Sequence, residues 1–403
     1  MRVPLLDLSE QYRVLAEPIG RECEEILRTQ SFILGPKVEE FERALAKYCG
    51  VRHAIGVSSG TDAQLAILMA IGIGPGDAVI TTAYTFFATA GCIARVGATP
   101  IFVDIDPATF NISAGSIAEF LEKRCRRNGD DQLVDDAERV IRAIVPVHLF
   151  GLCCEMDAIN EIAQRHGLIV IEDAAQAIGA EYPSHGGKRQ AGTMSAAGSF
   201  SFYPSKNLGA AGDAGAIVCG DEALAERFRV FRQHGMEPRY FHRVIGGNFR
   251  LDALQAAILR VKLPYLDRWS AARRAVADVY RQEFERAGLT NTITLPAEPY
   301  RDRGLTNHHI YHQYVVRTPR RDELQRHLAE RDIGSAIYYP LGLHQQKCFA
   351  SLGYGEGDLP ETERAARETL ALPIFPELTQ EMQRAVVAAI AEFFETGNGE
   401  ATA

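Results

Sequence analysis

Between His53 and about Arg232, short apolar segments alternate with stretches of helical periodicity, and no other feature of the sequence constrains the fold as strongly. Strands that are apolar throughout and separated by helices are typical of a mostly parallel sheet with helices on both faces. The predicted strands are residues 54–57, 78–82, 100–105, 143–149, 168–171, 199–203 and 216–219. The predicted helices are residues 62–71, 88–96, 113–123, 156–166 and 222–233. Because ligands of such sheets bind beyond the carboxyl ends of the strands, we expect the functional residues there.

The rest of the chain is predicted to form a smaller α+β unit. A helix with one apolar face runs up to Pro264, a second helix follows it, and strands are expected at residues 312–316 and 336–339. We predict a large domain over residues 1–245, with an N-terminal segment 1–30, and linking helices plus a small C-terminal domain over residues 246–403. The charged segment from Arg124 to Arg139 is predicted to be a solvated surface loop.

Composition excludes several classes of protein. The 403 residues are 46% hydrophobic and 24% charged, and a net charge of −9 argues against general binding of nucleic acid. No apolar run approaches the roughly 20 residues of a membrane helix, and the N-terminus does not resemble a secretory peptide. The eight cysteines show no zinc-finger spacing with histidines, so we expect reduced thiols in a cytoplasmic protein without a bound metal.

Two segments that follow predicted strands carry reactive side chains. Residues 169–176 read IVIEDAAQ, an apolar strand that ends in two carboxylates; alone, Asp173 could simply cap the next turn. Residues 199–209 read SFSFYPSKNLG, so Lys206 follows a strand and Pro204 and enters a glycine-rich stretch. A lysine on a turn beside small residues can be desolvated, which leaves its amine nucleophilic.

Two further segments suggest an anion site and a flat apolar surface. Residues 57–62 read VSSGTD, where a strand leads into a helix through small residues, and free N–H groups at a helix N-terminus bind anions. The alternative is an ordinary capped helix. Residues 84–89 read YTFFAT, and one of these aromatic rings could stack on a heteroaromatic ring rather than pack in the core.

Together the four segments supply what pyridoxal phosphate requires. The phosphate needs a helix N-terminus, the ring needs a stacking face, the aldehyde needs an amine and the pyridine nitrogen needs a carboxylate. The carboxylate keeps the ring nitrogen protonated, which asparagine could not do. The sequence therefore predicts a pyridoxal-phosphate enzyme in which Lys206 forms the internal aldimine.

Almost the whole chain resembles the DegT/DnrJ/StrS sugar aminotransferases, which have the aspartate-aminotransferase-like fold of pyridoxal-phosphate enzymes (fold type I). The most specific segments are GPKVEEFE at residues 35–42, VHLFG at 147–151, GNFRLDALQAA at 247–257 and YHQY at 311–314. Three features depart from the family pattern: the pair Cys153-Cys154, the run Asp213-Ala214-Gly215, and the segment from Arg124 to Arg139, which looks like an insertion. None of them belongs to the expected cofactor site.

The resemblance implies a role for each matching residue. Lys206 would form the aldimine and move protons, Asp173 would pair with the pyridinium, and Gln176 would bond the side of the ring that carries the hydroxyl. Phe86 would stack on the ring. The phosphate would be held by Gly60, Thr61 and Ser201 of one chain and by Asn248 of its partner, which implies a homodimer with shared active sites. The candidate substrate contacts are His148, Tyr338 and His344.

The resemblance implies amino transfer from an amino acid, expected to be glutamate, to the ketone of a nucleotide-linked sugar, with carbon 3 favoured over carbon 4. Some family members carry histidine in place of the lysine and act as dehydratases, so Lys206 favours transamination. Three alternatives stay open: an aminotransferase for a cyclitol ketone such as a keto-inositol, a pyridoxal-phosphate lyase or dehydratase, and a regulatory protein that binds the cofactor without turnover. The absence of a basic DNA-reading segment argues against the last.

Overall fold

A nine-stranded mixed sheet dominates the computed structural model, which describes residues 1–399. Within those residues the strands are β1 (His53–Val57), β2 (Asp77–Thr82), β3 (Thr99–Val103), β4 (Cys125–Arg127), β5 (Leu133–Asp135), β6 (Val140–Val145), β7 (Ile169–Asp173), β8 (Glu181–Ser184), β9 (Gly187–Gln190), β10 (Ala197–Ser201), β11 (Gly215–Cys219), β12 (Tyr314–Arg317) and β13 (Thr369–Leu372). The central path runs β1-β11-β10-β7-β6-β2-β3. Pairing along this path is parallel except at β11, which is antiparallel to both of its neighbours. The prediction of an α/β fold with a mostly parallel sheet is confirmed.

Helices cover both faces of this sheet and build the rest of the chain. They are α1 (Ser9–Thr29), α2 (Pro36–Cys49), α3 (Gly60–Ile71), α4 (Ala88–Arg95), α5 (Ala114–Arg124), α6 (Met156–His166), α7 (Glu222–Arg232), α8 (Ala253–Lys262), α9 (Leu266–Arg286), α10 (Arg321–Ala329), α11 (Pro360–Glu368) and α12 (Gln380–Gly399). Several begin with a side-chain cap; for example, Ser59 Oγ accepts the Asp62 N–H at 3.0 Å at the start of α3. Within residues 1–399, no helix is long and apolar enough to cross a membrane.

The parallel order places the carboxyl ends of six strands at one edge of the sheet, because β1, β10, β7, β6, β2 and β3 all run in the same direction. The strands are buried along most of their length, so both faces are covered. The four segments singled out in the sequence follow β1, β2, β7 and β10. The fold therefore brings them together.

The expectation of a surface loop from Arg124 to Arg139 is wrong. The segment forms a hairpin of β4 and β5, and β5 also pairs with β6 at the sheet edge. Leu133 and Val134 are buried, while the charges pair with one another, as in the Arg124–Asp136 ion pair. Each strand spans only three residues, too few for a visible alternation of apolar and polar residues.

A second hydrophobic core is built by α9, α10, α12 and the two-stranded sheet of β12 and β13. The expected strand at residues 336–339 is wrong, because Ala336 makes one isolated bridge to Ala371 and β13 takes the place beside β12. The chain then reaches Pro340, which has no N–H to donate to a sheet. Val3, near the N-terminus, also packs in this core. The domain boundary after residue 245 stays a prediction.

Candidate active site

A cavity of about 800 Å³ lies at the carboxyl edge of the central sheet. Eight of the residues singled out in the sequence line it: Gly60, Thr61, Phe86, Asp173, Gln176, Ser201, Lys206 and Tyr338. Seven of them follow or end four separate strands, and Tyr338 lies in the segment 336–339 of the smaller unit. The arrangement thus depends on the tertiary fold rather than on any one motif.

Lys206 lies on the turn after β10, where its N–H donates to the carbonyl of Tyr203 at 2.8 Å. Burial lowers the pKa of its amine from 10.5 to about 8, and the attraction of Asp173 opposes this only in part. An amine with this pKa is partly unprotonated near neutral pH, so it can act as a nucleophile and as a base.

Asp173 ends β7 and is buried at the bottom of the cavity. Burial raises the pKa of its carboxyl, while the Thr89 hydroxyl, the Ala175 N–H and the charge of Lys206 act in the opposite direction. Its Oδ2 accepts the Thr89 hydroxyl at 2.9 Å and its Oδ1 accepts the Ala175 N–H at 3.1 Å. A buried carboxylate with free lone pairs fits a protonated ring nitrogen.

The first turn of α3 forms an anion cradle. Gly60 and Thr61 are its first two residues, and N–H groups of a helical first turn have no partner within the helix. A Cβ at position 60 would lie 2.7 Å from Ser201 Cβ, so only glycine lets α3 approach β10 this closely. Ser201 Oγ accepts the Tyr203 N–H at 3.4 Å, which leaves its own proton free to donate. These donors fit a phosphate dianion.

An exposed aromatic ring and an amide complete the fit to a pyridine ring. Phe86 is 57% exposed although it lines the cavity, and its ring centroid lies 6.3 Å from that of Tyr339. Gln176 is fixed by two hydrogen bonds: its Oε1 accepts the Phe150 N–H at 2.7 Å and its Nε2 donates to the Tyr339 hydroxyl at 3.1 Å. The second Nε2 proton stays available to a ligand.

Two histidines predicted to contact substrate do not line the cavity. His148 is fully buried, its Nδ1 accepts the Cys154 N–H at 3.0 Å, and its Nε2 therefore donates to Glu172 at 2.9 Å. His344 is also buried, and its Nε2 lies 3.3 Å from Glu363 Oε1. In this structure both support the walls from behind rather than face a ligand. Their burial depth could not be read from the sequence.

Asn248 also lies outside the cavity of its own chain, on the exposed stretch before α8. The pair Cys153-Cys154 is buried away from the cavity, and burial raises the pKa of both thiols well above the usual value. All eight cysteines are free thiols. Within residues 1–399, no group of three or more histidine, cysteine or acidic residues could hold a metal ion.

Several cavity residues had no predicted role. Gln64, Thr89, His312 and Tyr339 all line it. His312 Nδ1 faces Asn207 Oδ1 at 3.2 Å, and burial lowers the pKa of its ring well below 6.5, so the imidazole is neutral. The available signal was position, since Thr89 and His312 lie inside the segments YTFFAT and YHQY.

Comparison with known proteins identifies the family to which the chain belongs. The sequence profile of the DegT/DnrJ/EryC1/StrS aminotransferase family matches residues 14–391. A "pleiotropic regulatory protein" of Geobacillus stearothermophilus is 50% identical over 98% of this chain and 99% of the relative. The dTDP-3-amino-3,4,6-trideoxy-α-D-glucose transaminase of Streptomyces venezuelae is 40% identical over 98% and 97%. The UDP-N-acetyl-3-dehydro-α-D-glucosamine 3-aminotransferase of Acidithiobacillus ferrooxidans is 40% identical over 94% of each chain.

Solved structures are similar along nearly the whole chain. The crystal structure of S. venezuelae DesV with a ketimine intermediate has a TM-score of 0.87 and 39% identity, covering 97% of this chain and 98% of the other. That of NtdA from Bacillus subtilis, with bound cofactor PMP, has a TM-score of 0.85 and 32% identity, covering 98% and 85%. The profile match and these relatives show that the chain belongs to the DegT/DnrJ/EryC1/StrS family and is an aminotransferase that depends on pyridoxal phosphate.

Proposed function

We propose that this aminotransferase moves an amino group from glutamate to the ketone of a nucleotide-linked sugar. The observation that carries the proposal is a lysine amine with a pKa of about 8 in the same cavity as a buried carboxylate and a helix N-terminus. When bound, the cofactor carries the amino group between the two substrates, and its protonated ring withdraws electrons from the reacting carbon. Nζ of Lys206 would take the proton from the substrate carbon that bears the nitrogen and deliver it to the cofactor carbon. In the second half-reaction it would move a proton in the opposite direction.

We assign the remaining cofactor contacts as follows. The Gly60 and Thr61 N–H groups and the Ser201 hydroxyl hold the phosphate, Phe86 stacks on the ring, and Asp173 keeps the ring nitrogen protonated. Gln176 bonds the side of the ring that carries the hydroxyl.

The proposed sugar substrate follows the relatives, whose names specify dTDP- and UDP-linked sugars aminated at carbon 3. Tyr338 lies in the cavity wall and is the proposed sugar contact on this chain. His148 and His344 do not line the cavity, and they are not proposed to contact the sugar.

We propose that the active site is shared between two copies of the chain. Among the described residues that line the cavity, Lys206 is the only cation, whereas a nucleotide diphosphate and the carboxylates of glutamate are anions. The stretch before Asn248 offers what the cavity lacks: it carries Arg239 and Arg243, and Ile245 is 89% exposed. If this stretch of a partner chain covered the cavity, the side chain of Ile245 would be buried and Arg239 and Arg243 would supply positive charge.

A spectroscopic titration tests the proposed reaction. The absorbance of the holoenzyme is followed while glutamate is added, and keto-sugar nucleotides are then added one at a time. Glutamate should shift the absorbance to that of the amine form of the cofactor, and one keto-sugar should restore the original spectrum. Recovery with a keto-inositol instead would favour a cyclitol aminotransferase, and no response to glutamate would favour a lyase.

The name of the relative with 50% identity keeps a regulatory role as the second candidate. A regulatory protein would bind the cofactor and show no turnover with any donor and acceptor pair. Turnover above one equivalent per site would exclude a purely regulatory role. In either case we expect the chain in the reducing cytoplasm, in keeping with its eight free thiols.

A further inference from the structure

A chain of two hydroxyls ends on the buried carboxylate of the cavity. Thr89, in the first turn of α4, places its Oγ1 2.9 Å from Asp173 Oδ2. Thr85 places its Oγ1 3.2 Å from Thr89 Oγ1. All three side chains are buried: Thr85 and Thr89 are 2% exposed and Asp173 is 5% exposed.

Proton counting fixes the direction of these bonds. An ionised carboxylate has no proton to give, so Thr89 must donate its single hydroxyl proton to Asp173. The Thr89 oxygen is then an acceptor, and Thr85 must donate to it. With Asp173 ionised, the series of hydrogen bonds therefore runs from Thr85 through Thr89 to Asp173.

A protonated Asp173 would accept from Thr89 only through an uncharged oxygen, and a proton on Oδ2 would compete with the Thr89 hydroxyl for the same contact. Hydrogen bonds to charged groups are roughly twice as strong as those between neutral groups, and consecutive hydroxyls polarise one another. The two consecutive hydrogen bonds thus favour the ionised carboxylate. The lone pairs of Asp173 that accept neither the Thr89 hydroxyl nor the Ala175 N–H stay free for a ligand.

We propose that Thr89, supported by Thr85, is a positioning residue that keeps Asp173 ionised and orients it toward the ring nitrogen of the cofactor. The inference rests on the proposed role of Asp173. It assigns to the hydroxyls of Thr85 and Thr89 the task of keeping the Asp173 carboxyl ionised. It predicts that loss of the Thr89 hydroxyl weakens cofactor binding mainly on the acidic side of the pH range.

The other groups that face Asp173 do not replace this bond. The charge of Lys206 also favours the ionised form, and His148, another titratable group that faces Asp173, is the neutral imidazole described above. Cys92, Cys154 and Tyr339 lie close enough to interact with the carboxylate but are neutral, since burial raises the pKa of each. Burial raises the pKa of Asp173 itself, and the Thr89 bond is the largest of the effects that lower it.

Removing a bond that lowers the pKa of Asp173 moves that pKa further up, so the ionised form is lost at a higher pH as the solution is acidified. A hydrogen bond to a charged group corresponds to about one to two pKa units. The acidic limit of cofactor binding should therefore move up by about one pH unit or more.

The test measures the dissociation constant of pyridoxamine phosphate by calorimetry between pH 5 and pH 8. This probe carries an amine in place of the aldehyde, so it makes no covalent bond with Lys206 and its affinity reports the non-covalent contacts. We expect Thr89→Val and Thr89→Ala to move the acidic limit up by about one unit, which is about a tenfold loss of affinity on that limb. Thr85→Val should move it in the same direction by less, and Thr89→Ser should restore wild-type behaviour.

Thr81→Val is the matched control. Thr81 is equally buried, but its hydroxyl donates to the carbonyl of Val145 at 2.9 Å, away from Asp173. This variant should lose stability without a shift of the acidic limit. A shift in Thr81→Val as large as that in Thr89→Val, or no shift in either Thr89→Val or Thr89→Ala, overturns the inference.

Asp173→Asn separates this inference from the proposed function. If Asp173→Asn leaves the affinity and its pH dependence unchanged, the proposed role of Asp173 itself is wrong. If Asp173→Asn weakens binding at all pH values and removes the acidic limit, while the Thr89 variants behave as wild type, only the role of the threonines is wrong.

Discussion

The amine of Lys206 is the residue-scale feature with the most direct consequence for pH dependence. Because burial lowers its pKa to about 8, the neutral amine predominates above that pH. We expect the apoprotein to form its borohydride-trapped adduct with pyridoxal phosphate at a rate that rises with pH through about 8, rather than near 10.5. Mass spectrometry of the peptide that contains Lys206, after reduction at each pH, measures this midpoint.

Asp173→Asn provides a control with a defined direction. The negative charge of Asp173 holds the pKa of Lys206 up, so its removal should move the midpoint of adduct formation to lower pH. A midpoint that rises in Asp173→Asn would contradict the assignment of the two residues to one electrostatic unit.

Replacement of Lys206 by alanine should abolish amino transfer and leave the fold intact. The substitution removes a partly desolvated amine from a cavity and breaks no backbone contact, so the melting temperature should not fall. Stopped assays of both half-reactions and a thermal melt check the two parts. Near-normal turnover of this variant would disprove the proposed mechanism.

At the scale of elements, the central sheet could be predicted from sequence because its strands are apolar throughout. Each strand predicted for the central sheet overlaps an observed one, although β6 begins three residues earlier than expected. The cofactor segments could be predicted too, since each follows a strand end. The hairpin of β4 and β5 could not, because its short strands are defined by pairing with β6. The burial of His148 and His344 outside the cavity could not be predicted, because their positions in the sequence carry no information on depth.

The first turn of α3 has no room for a side chain at position 60. A Cβ at position 60 would contact Ser201 Cβ at 2.7 Å and its Cα at 3.2 Å, and neither can move without displacing β10. We therefore expect Gly60→Ala to push α3 away from β10 and to weaken pyridoxal phosphate binding by tenfold or more. Calorimetric titration of the apoprotein measures this change.

Gly20→Ala is the control for the substitution itself. Gly20 lies inside α1, and a Cβ there meets nothing within 4 Å. Alanine should stabilise this helix by about 0.5–1 kcal/mol and leave cofactor affinity unchanged. If both variants lose cofactor affinity equally, the effect is not specific to the first turn of α3.

In the whole molecule, the lining of the cavity and an exposed stretch elsewhere on the surface are the two observations behind the proposed shared site. The cavity carries Lys206 as its only lining cation among the described residues, and Phe86 is exposed in it. Elsewhere on the surface, Tyr240 and Phe241 are 74% and 68% exposed just ahead of Asn248. Unpaired apolar surface and missing cations on one chain are explained together if a second copy brings its exposed stretch to the cavity.

A mixed dimer tests this arrangement. Lys206→Ala removes the amine from one chain, and Asn248→Asp places a carboxylate where the partner's phosphate is proposed to bind, so each variant alone should be inactive. When the two are unfolded and refolded together in equal amounts, half of the dimers should be mixed. Under twofold symmetry each mixed dimer contains one intact site and one site with both substitutions. Activity should therefore return to roughly a quarter of wild type, because half of the dimers contribute one of their two sites.

The fraction of mixed dimers is measured by native mass spectrometry of differently tagged chains. If that fraction is close to one half and no activity returns, Asn248 does not act across the interface and the site belongs to a single chain.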